Sequence, residues 1–535
     1  MRRLFSLAAC TAFLLIGCSP SASESEPGKA SEAADDYPTS IVLADQQPID
    51  HFNPIAGYGE LGTSPLYDGL LVPAPAGESD LPELNPALAA SDPEPNDDMS
   101  EWTVQLREGV TFSDGSPFTA ADVVATYQAI LDPVTASPMA AGYEMIKEVS
   151  APDDHTVVFS LNYSYADLPA RMLVGIAPAT SMESKPVTEW AINTEPVGTG
   201  PYVLKSMGSD EATFIAREDG WHDTPEVTEV TIISVPDDTA RAQRLSSGDV
   251  NGTQLAPALA TTFAQKEGFT VASNHTVDWR GLTLPLDNPF TAEAKVRLAL
   301  NYAIDREALV KDVLLGYGEP GYTPVNAAYG TVVPEEIFSY DPDKAASLLD
   351  EAGWILEDGK RVKDGNIAAL ELWYPAGDQL RKDLTFAVAE NLNALGIETT
   401  IDHSDWDAVT EKLPSIAAMY GGGDQPYSID TQLYGALHSR TEGSDVYDNP
   451  TGSSVPGLDE ILEGARRESN LDQRAAMYRE GLEKYLAEPS YLILVFLHHT
   501  YVEQTNEWQG KQPVLEPHSH GVSWGPWWNI GQWHK

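Results

Sequence analysis

Cysteine is almost missing: the chain of 535 residues has two, Cys10 and Cys18, both close to the N-terminus. That excludes a disulfide framework for the body of the chain. Positive charge is scarce as well. Lys and Arg number 32 against 81 Asp and Glu, for a formal net charge of −49 and a pI near 4.3. A surface so acidic repels nucleic acid and anionic lipid headgroups, so neither is expected as a partner. Long apolar runs are lacking too. The longest, residues 4–16, falls short of the ~20 residues of a comfortable membrane span. The catalytic signatures S-x-x-K, H-E-x-x-H and Walker A do not occur. Carboxylates are so abundant that a pair of them carries no meaning by itself. No internal repeat is found.

What is present begins with the leader. Arg2 and Arg3 precede the apolar run, and LIGC closes it at Cys18. A basic region followed by a short apolar one is a secretory signal, and LIGC is similar to a bacterial lipobox. Cleavage before Cys18 leaves one cysteine to carry lipid, so no disulfide within the mature chain and no thiol catalysis are expected. Arg2 and Arg3 leave with the signal, which takes the charge to −51 (−49 minus 2). Residues 19–40 are rich in Ser, Glu, Ala and Pro with no apolar period, the composition of a disordered tether.

Beyond the tether there is ample core material, 42% apolar residues including 22 Tyr, 13 Phe and 12 Trp. The length exceeds what one core fills, so two or three domains are expected. In residues 291–318, Val296, Ala299, Leu300, Ala303 and Ile304 line one helical face. Asp305 then caps a second helix over Ala308, Leu309, Val313 and Leu314, stopped by Gly316 and Gly318. In residues 101–131, Trp102, Val104 and Leu106 alternate as in a strand. SDGSPF makes a turn, and Thr119 with Asp122 has capping-box spacing before a helix. Residues 155–180 read as a strand, a proline break and a helix-like segment. GTGPY, at residues 198–202, forces a close approach of backbone segments ahead of a hairpin. It precedes a strand and lacks a Lys-Ser/Thr ending, so it is no phosphate loop. From Val230 to Ile401 strands alternate with helices, including one capped by Asp341 and a long one ending at Gly396. This argues α/β domains. Residues 470–488 form a last amphipathic helix, and YLILVF a buried strand.

VRLALNYAIDREALV followed by LLGYGEPGYTPV resembles the central signature of the peptide/nickel family (family 5) of solute-binding proteins that serve ABC importers. The ordered strand, D-G-x-P-F turn and T-A-x-D-V-V helix resembles the same family, as do ELNPALAAS and GTGPY. The resemblance spans roughly residues 61–502. It implies a two-lobed Venus-flytrap fold with an extra inserted domain. The expected division is 1–17 signal peptide, 18–40 tether, 41–75 lobe I, 76–196 inserted domain, 197–280 lobe I continued, 281–490 lobe II and 491–535 a closing segment of lobe I. It further implies a binding protein rather than an enzyme. It would be a monomer lipid-anchored outside the cytoplasm, with no cofactor, handing short peptides to a permease and its ATPase. Nickel or a metal chelate is the alternative ligand. A peptide sensor or a secreted hydrolase is the alternative from another class.

Candidate ligand residues follow. Gly421, Gly422 and Gly423 let the backbone approach another segment or a ligand. Asp424 follows, with Tyr427 near it. In peptide-binding relatives an aspartate in a similar place pairs with the peptide's amine. Those relatives often carry Trp ahead of it, where this chain has Tyr420 and the glycines. Arg381 is a candidate fork for a ligand carboxylate, and Trp406 a candidate cleft wall. For metal, the alternative set is His498, His499, His518 and His520. His498 and His499 end a strand and should point to opposite faces. The five tail tryptophans, Trp508, Trp524, Trp527, Trp528 and Trp533, either line a pocket or staple the C-terminus to the body.

Overall fold

The computed structural model describes residues 39–75, 81–334, 337–440 and 447–535. The signal, Cys18 and the tether up to residue 38 lie outside the described residues. Among the described residues no helix is long and apolar enough to cross a membrane.

One large sheet organises the molecule. Its strands run in the order Glu398–Ser404, Ala369–Pro375, Ala417–Gly422, Phe269–Thr283, Tyr491–Gln504, Gly252–Gln254, Ser40–Asp45, Glu229–Ser234, Glu211–Ala216 and Tyr202–Met207. Gly318–Pro320 adds to the side of Tyr491–Gln504. Two members are far longer than the rest, at 15 and 14 residues. These antiparallel strands belong to both lobes. Near Phe269 and Gln504 they adjoin Gly252–Gln254, in lobe I. Near Thr283 and Tyr491 they adjoin Ala417–Gly422 and Gly318–Pro320, in lobe II. Between the halves the register breaks. His275 faces His498 and Trp279 faces Phe496, so Thr276, Val277 and Asp278 stand opposite Leu497 alone. A bulge of this kind bends a strand and frees its side chains from the ladder. The ladder between these two strands is therefore interrupted at 276–278 and at 497.

Each lobe has its own core. Leu282, Leu300, Leu372, Val388 and Leu494 belong to one in lobe II. Leu43, Phe214, Tyr127, Phe159 and Trp533 belong to another, shared by lobe I and a separate four-stranded sheet, Glu94–Pro95, Glu101–Gln105, Thr156–Leu161 and Ile146–Asp153. Trp524, Trp527 and Trp533 are buried in that core, so these three staple the tail. The local chemistry follows the sequence closely. Asp122 accepts from the Thr119 N–H at 2.8 Å and from its hydroxyl at 3.1 Å, starting helix Ala120–Leu131. Asp341 accepts from the Lys344 N–H at 2.8 Å and starts Pro342–Glu351. A Cβ on Gly198 would sit 2.1 Å from the Leu66 carbonyl oxygen, which explains the tight GTGPY passage.

Two expectations are corrected. The helix-like segment after strand Thr156–Leu161 is a set of short 3-10 turns, Leu168–Arg171 among them. Its prolines deny the backbone the donors a longer helix needs. The second helix after Asp305 is one α turn, Arg306–Ala308, followed by a π turn, Leu309–Val313. The wider turn brings Leu314 round to the buried face that Leu309 occupies, and leaves Val313 only half-buried. Gly316 takes the left-handed conformation that ends it, whereas Gly318 opens a short strand.

Candidate functional site at the hinge and interlobe face

The register break places charge in the middle of the sheet. Asp278 is fully buried. Its Oδ1 accepts from the Arg280 guanidinium and lies 2.7 Å from His518 Nδ1, while Oδ2 lies 3.1 Å from His499 Nε2. Burial works against its charge, but Arg280 and His518 outweigh it and hold its carboxyl well below the usual range. The other nitrogen of His499 lies 2.8 Å from Glu516, whose carboxylate also accepts from Tyr501 at 2.6 Å and Asn274 at 2.6 Å. Burial opposes charge on His499 too, yet the bonds to Asp278 and Glu516 push it up to about 9. His520, next along the tail, is pushed down to about 3 by burial and by the charge of His499.

A cavity of about 750 Å³ opens over this network. Asp238 and Arg241 line it from lobe I and Asp378 and Arg381 from lobe II, with Asp278, Arg280 and His499 between them. Arg381 is anchored by Asp378 at 2.7 Å, and its Nε has no hydrogen-bond partner among the described residues. Burial and the nearby Arg280 cation lower its pKa.

The glycines approach a neighbouring strand. A Cβ on Gly422 would stand 2.7 Å from the Trp279 ring, and one on Gly423 2.2 Å from the Val277 carbonyl oxygen. A Cβ on Gly421 would meet His518, Arg280 and Arg381 within 3.1 Å. Asp424 emerges beyond them, exposed and without a hydrogen bond among the described residues. It repels Glu60, across the gap on lobe I. Burial raises the Glu60 pKa, Asp424 adds to the rise, and Arg171 opposes it. Tyr427 donates to the Leu515 carbonyl at 3.1 Å, and burial raises its pKa.

The same loop meets the opposite lobe directly. Arg171 donates to Gln425 at 2.7 Å, and Gln425 donates to Glu60 at 3.0 Å. Tyr165 donates to the buried Asp430 at 3.1 Å, and Asp167 accepts from both Ser428 and Arg474. These contacts join residues up to 365 positions apart in sequence.

The predicted residues thus fall in three places. Gly422, Gly423, Arg381, His499, His518 and His520 gather at the hinge. Asp424 and Tyr427 lie on the loop at the interlobe face. Trp406 stands in a lobe II aromatic group, 4.8 Å from Trp373 and 5.9 Å from Tyr420, centroid to centroid. His498 points away from His499 and packs at a tilt against His275, ring centroids 4.0 Å apart, so the pair does not converge. Asp278, Arg280, Glu516, Glu60, Arg171 and Asp430 carry much of the site and are missed by motif reading. The one available signal is D-W-R inside an apolar stretch, a charge pair that a buried strand holds only if it is matched.

Two lobes joined by two crossing strands, with polar groups facing over the gap, define a protein that closes on a ligand. The family model for bacterial extracellular solute-binding proteins, family 5 (middle), matches residues 83–444. The chain is 37% identical over 493 residues to Protein XP55 of Streptomyces lividans, covering 90% of this chain and 88% of that one. To the oligopeptide-binding protein AppA of Bacillus subtilis it is 26% identical over 409 residues, covering 74% and 75%. The crystal structure of NikZ from Campylobacter jejuni in complex with Ni(L-His) superposes with a TM-score of 0.80 at 24% identity, covering 93% of this chain and 99% of that one. The chain belongs to the bacterial extracellular solute-binding proteins of family 5, as its signature stretches suggest.

Proposed function

We propose that the protein is the extracytoplasmic binding component of an ABC importer. It traps short peptides between its lobes and delivers them to the permease without catalysing a reaction. The observation that carries this reading is the loop that follows the glycine run: Gln425 reaches Glu60 at 3.0 Å and Arg171 at 2.7 Å across the gap, while Asp424 beside it is exposed with no hydrogen bond among the described residues. The ammonium end of a peptide gives Asp424 a partner there. Arg381, with Nε unpartnered in the cavity wall, supplies a partner for the carboxylate end. Tyr427, Gly422 and Gly423 shape the loop, and Trp406 offers an apolar wall. Similarity to AppA, an oligopeptide-binding protein, supports the same ligand class. The division into lobe I (41–75, 197–280, 491–535), inserted domain (76–196) and lobe II (281–490) is part of the proposal, as are the monomeric state and a lipid on Cys18.

Native mass spectrometry of the purified mature protein tests the ligand. A ladder of co-purifying peptides is expected; a stoichiometric nickel or chelate mass would overturn the reading. Asp424→Ala should weaken peptide binding by about 2–5 kcal/mol, the range for truncating one member of a buried charge pair. An N-acetylated peptide should bind the wild type poorly and lose little more in the variant. Equal affinity of both proteins for the free peptide assigns the anchor elsewhere.

A further inference from the structure

Three arginines line the cavity over the hinge, and they are not alike. Arg241 has spent its donors: Nε on the Gln254 carbonyl at 3.2 Å, Nη1 on the Val235 carbonyl at 2.7 Å, and Nη2 on Asp238. Arg280 and Arg381 have each spent one corner only. Arg280 uses Nη1, which donates to Asp278 and to the Trp279 carbonyl at 3.1 Å and lies 3.1 Å from His518 Nδ1. Arg381 uses Nη1 on Asp378 at 2.7 Å. In both, Nε is buried without a partner and Nη2 carries no hydrogen bond among the described residues. Nε and Nη2 form one edge of a guanidinium, two parallel N–H donors that match the two oxygens of a carboxylate. The cavity wall therefore holds two unused forks.

An unpaired buried donor costs free energy, so two of them in one wall call for an acceptor that arrives with a ligand. The acids of the cavity do not supply it. Asp278, Asp378 and Asp238 each hold an arginine already, through Nη. The two forks also stand close together. A Cβ on Gly421 would lie 2.9 Å from Arg280 Nη1 and 3.1 Å from Arg381 Nη2. Being glycine, residue 421 puts no side chain between them. After burial, the Arg280 cation is what lowers the Arg381 pKa, so anionic charge shared by the two relieves a repulsion. One carboxylate fills one fork. Two forks around one glycine fit a ligand end that carries two carboxylates, and an end with a single carboxylate leaves Arg280 unmatched.

From this arrangement we infer that Arg280 is a specificity-determining residue, and that the ligands are short peptides ending in Asp or Glu. Arg381 takes the terminal carboxylate, and Arg280 takes the side-chain carboxylate of the same residue. This assignment rests on the peptide reading proposed above and narrows it. Arginine is needed at both positions, since lysine supplies its charge as a point and not as a fork.

The test is calorimetry on the ligand-free mature wild type with Ala-Ala-Glu and Ala-Ala-Gln, which differ in one carboxylate. Ala-Ala-Glu should bind at least about tenfold more tightly, the smallest gain expected of a charge-assisted bidentate pair. Arg280→Lys should erase that preference and keep the affinity for Ala-Ala-Gln, whereas Arg381→Lys should weaken both peptides alike. Equal binding of the two peptides by the wild type overturns the inference and leaves the peptide reading in place. Equal weakening of both peptides by Arg280→Lys overturns it as well, since that is the effect of a merely structural arginine. If neither peptide binds, the peptide reading fails, and glutarate against butyrate then decides on the forks. A saturable rise in melting temperature with glutarate alone, lost in Arg280→Lys, sustains a dicarboxylate site; no such rise removes it.

Discussion

Removing the Tyr165 hydroxyl should weaken ligand binding without touching a ligand contact. Tyr165 donates across the gap to Asp430 at 3.1 Å. Asp430 is almost wholly buried and keeps two partners within its own lobe, Arg466 at 3.0 Å and Tyr478 at 3.1 Å. When the lobes part, water replaces the Tyr165 bond, so Tyr165→Phe acts on the closed form alone. A hydrogen bond to a charged group contributes about 1.5–3 kcal/mol. The lower figure applies, because the carboxylate keeps its other partners, and about 1.4 kcal/mol is tenfold in an equilibrium constant. A ligand that requires the closed form should therefore bind about tenfold more weakly. Tyr478→Phe supplies the contrast. It removes a bond of the same length to the same carboxylate, but one that persists in both forms, so it should lower the melting temperature and leave affinity nearly unchanged. Calorimetry with a peptide found in the co-purifying set measures affinity, and small-angle scattering measures closure. If Tyr165→Phe leaves both where they were, or if the two variants weaken binding equally, the Asp430 contact does not hold the lobes together.

Glu60→Gln should raise the melting temperature at pH 7. Burial lifts the folded-state pKa of Glu60 above its unfolded value, so its ionised form costs stability at neutral pH, and that cost vanishes as pH falls below the unfolded value. The advantage of the variant should accordingly shrink between pH 7 and pH 4.5; a constant difference refutes the assignment. Gly423→Ala should destabilise by at least about 2 kcal/mol, since the new Cβ meets a backbone oxygen at 2.2 Å on a residue with φ of 111°. An unchanged melting temperature contradicts the packing. Cys18→Ser should release the protein from the membrane fraction with ligand affinity intact, because attached chains rather than a spanning helix provide the hold. Retention at high salt removes the lipid anchor from the account.

The α/β alternation, the helix caps and the glycine stops are legible in the sequence because each depends on neighbours within a few residues. Asp341 caps its helix through Lys344, three residues on. The strand Phe269–Thr283 is the opposite case. Asn274, His275, Asp278 and Arg280 break its apolar alternation, and they are tolerable only because Glu516, His498, His499 and His518 arrive from more than 200 residues away. YLILVF reveals only the first half of its strand, since the polar half from His498 to Gln504 depends on the same partners. The glycine run reads correctly as a place of close approach, but sequence does not say to what: the segment approached is Val277–Trp279. Nor does anything local to Asp424 foretell Glu60 or Arg171.

The polar hinge has a physical rationale of its own. A pair of long strands filled with valine and leucine would bury apolar area whether or not the lobes met, and nothing in it would favour a bend. Here the register break at Thr276–Asp278 exposes the ladder, and the freed groups are satisfied by charge instead. Asp278 takes Arg280, His518 and His499, and Glu516 takes His499, Tyr501 and Asn274. Buried ionic groups contribute little net stability over a packed apolar core, but removing one partner from them is expensive. Such a network tolerates few arrangements, so it fixes where the chain bends. Gly423 is packed against this bend and Asp424 follows it directly, so the loop that faces the opposite lobe is positioned by the hinge itself.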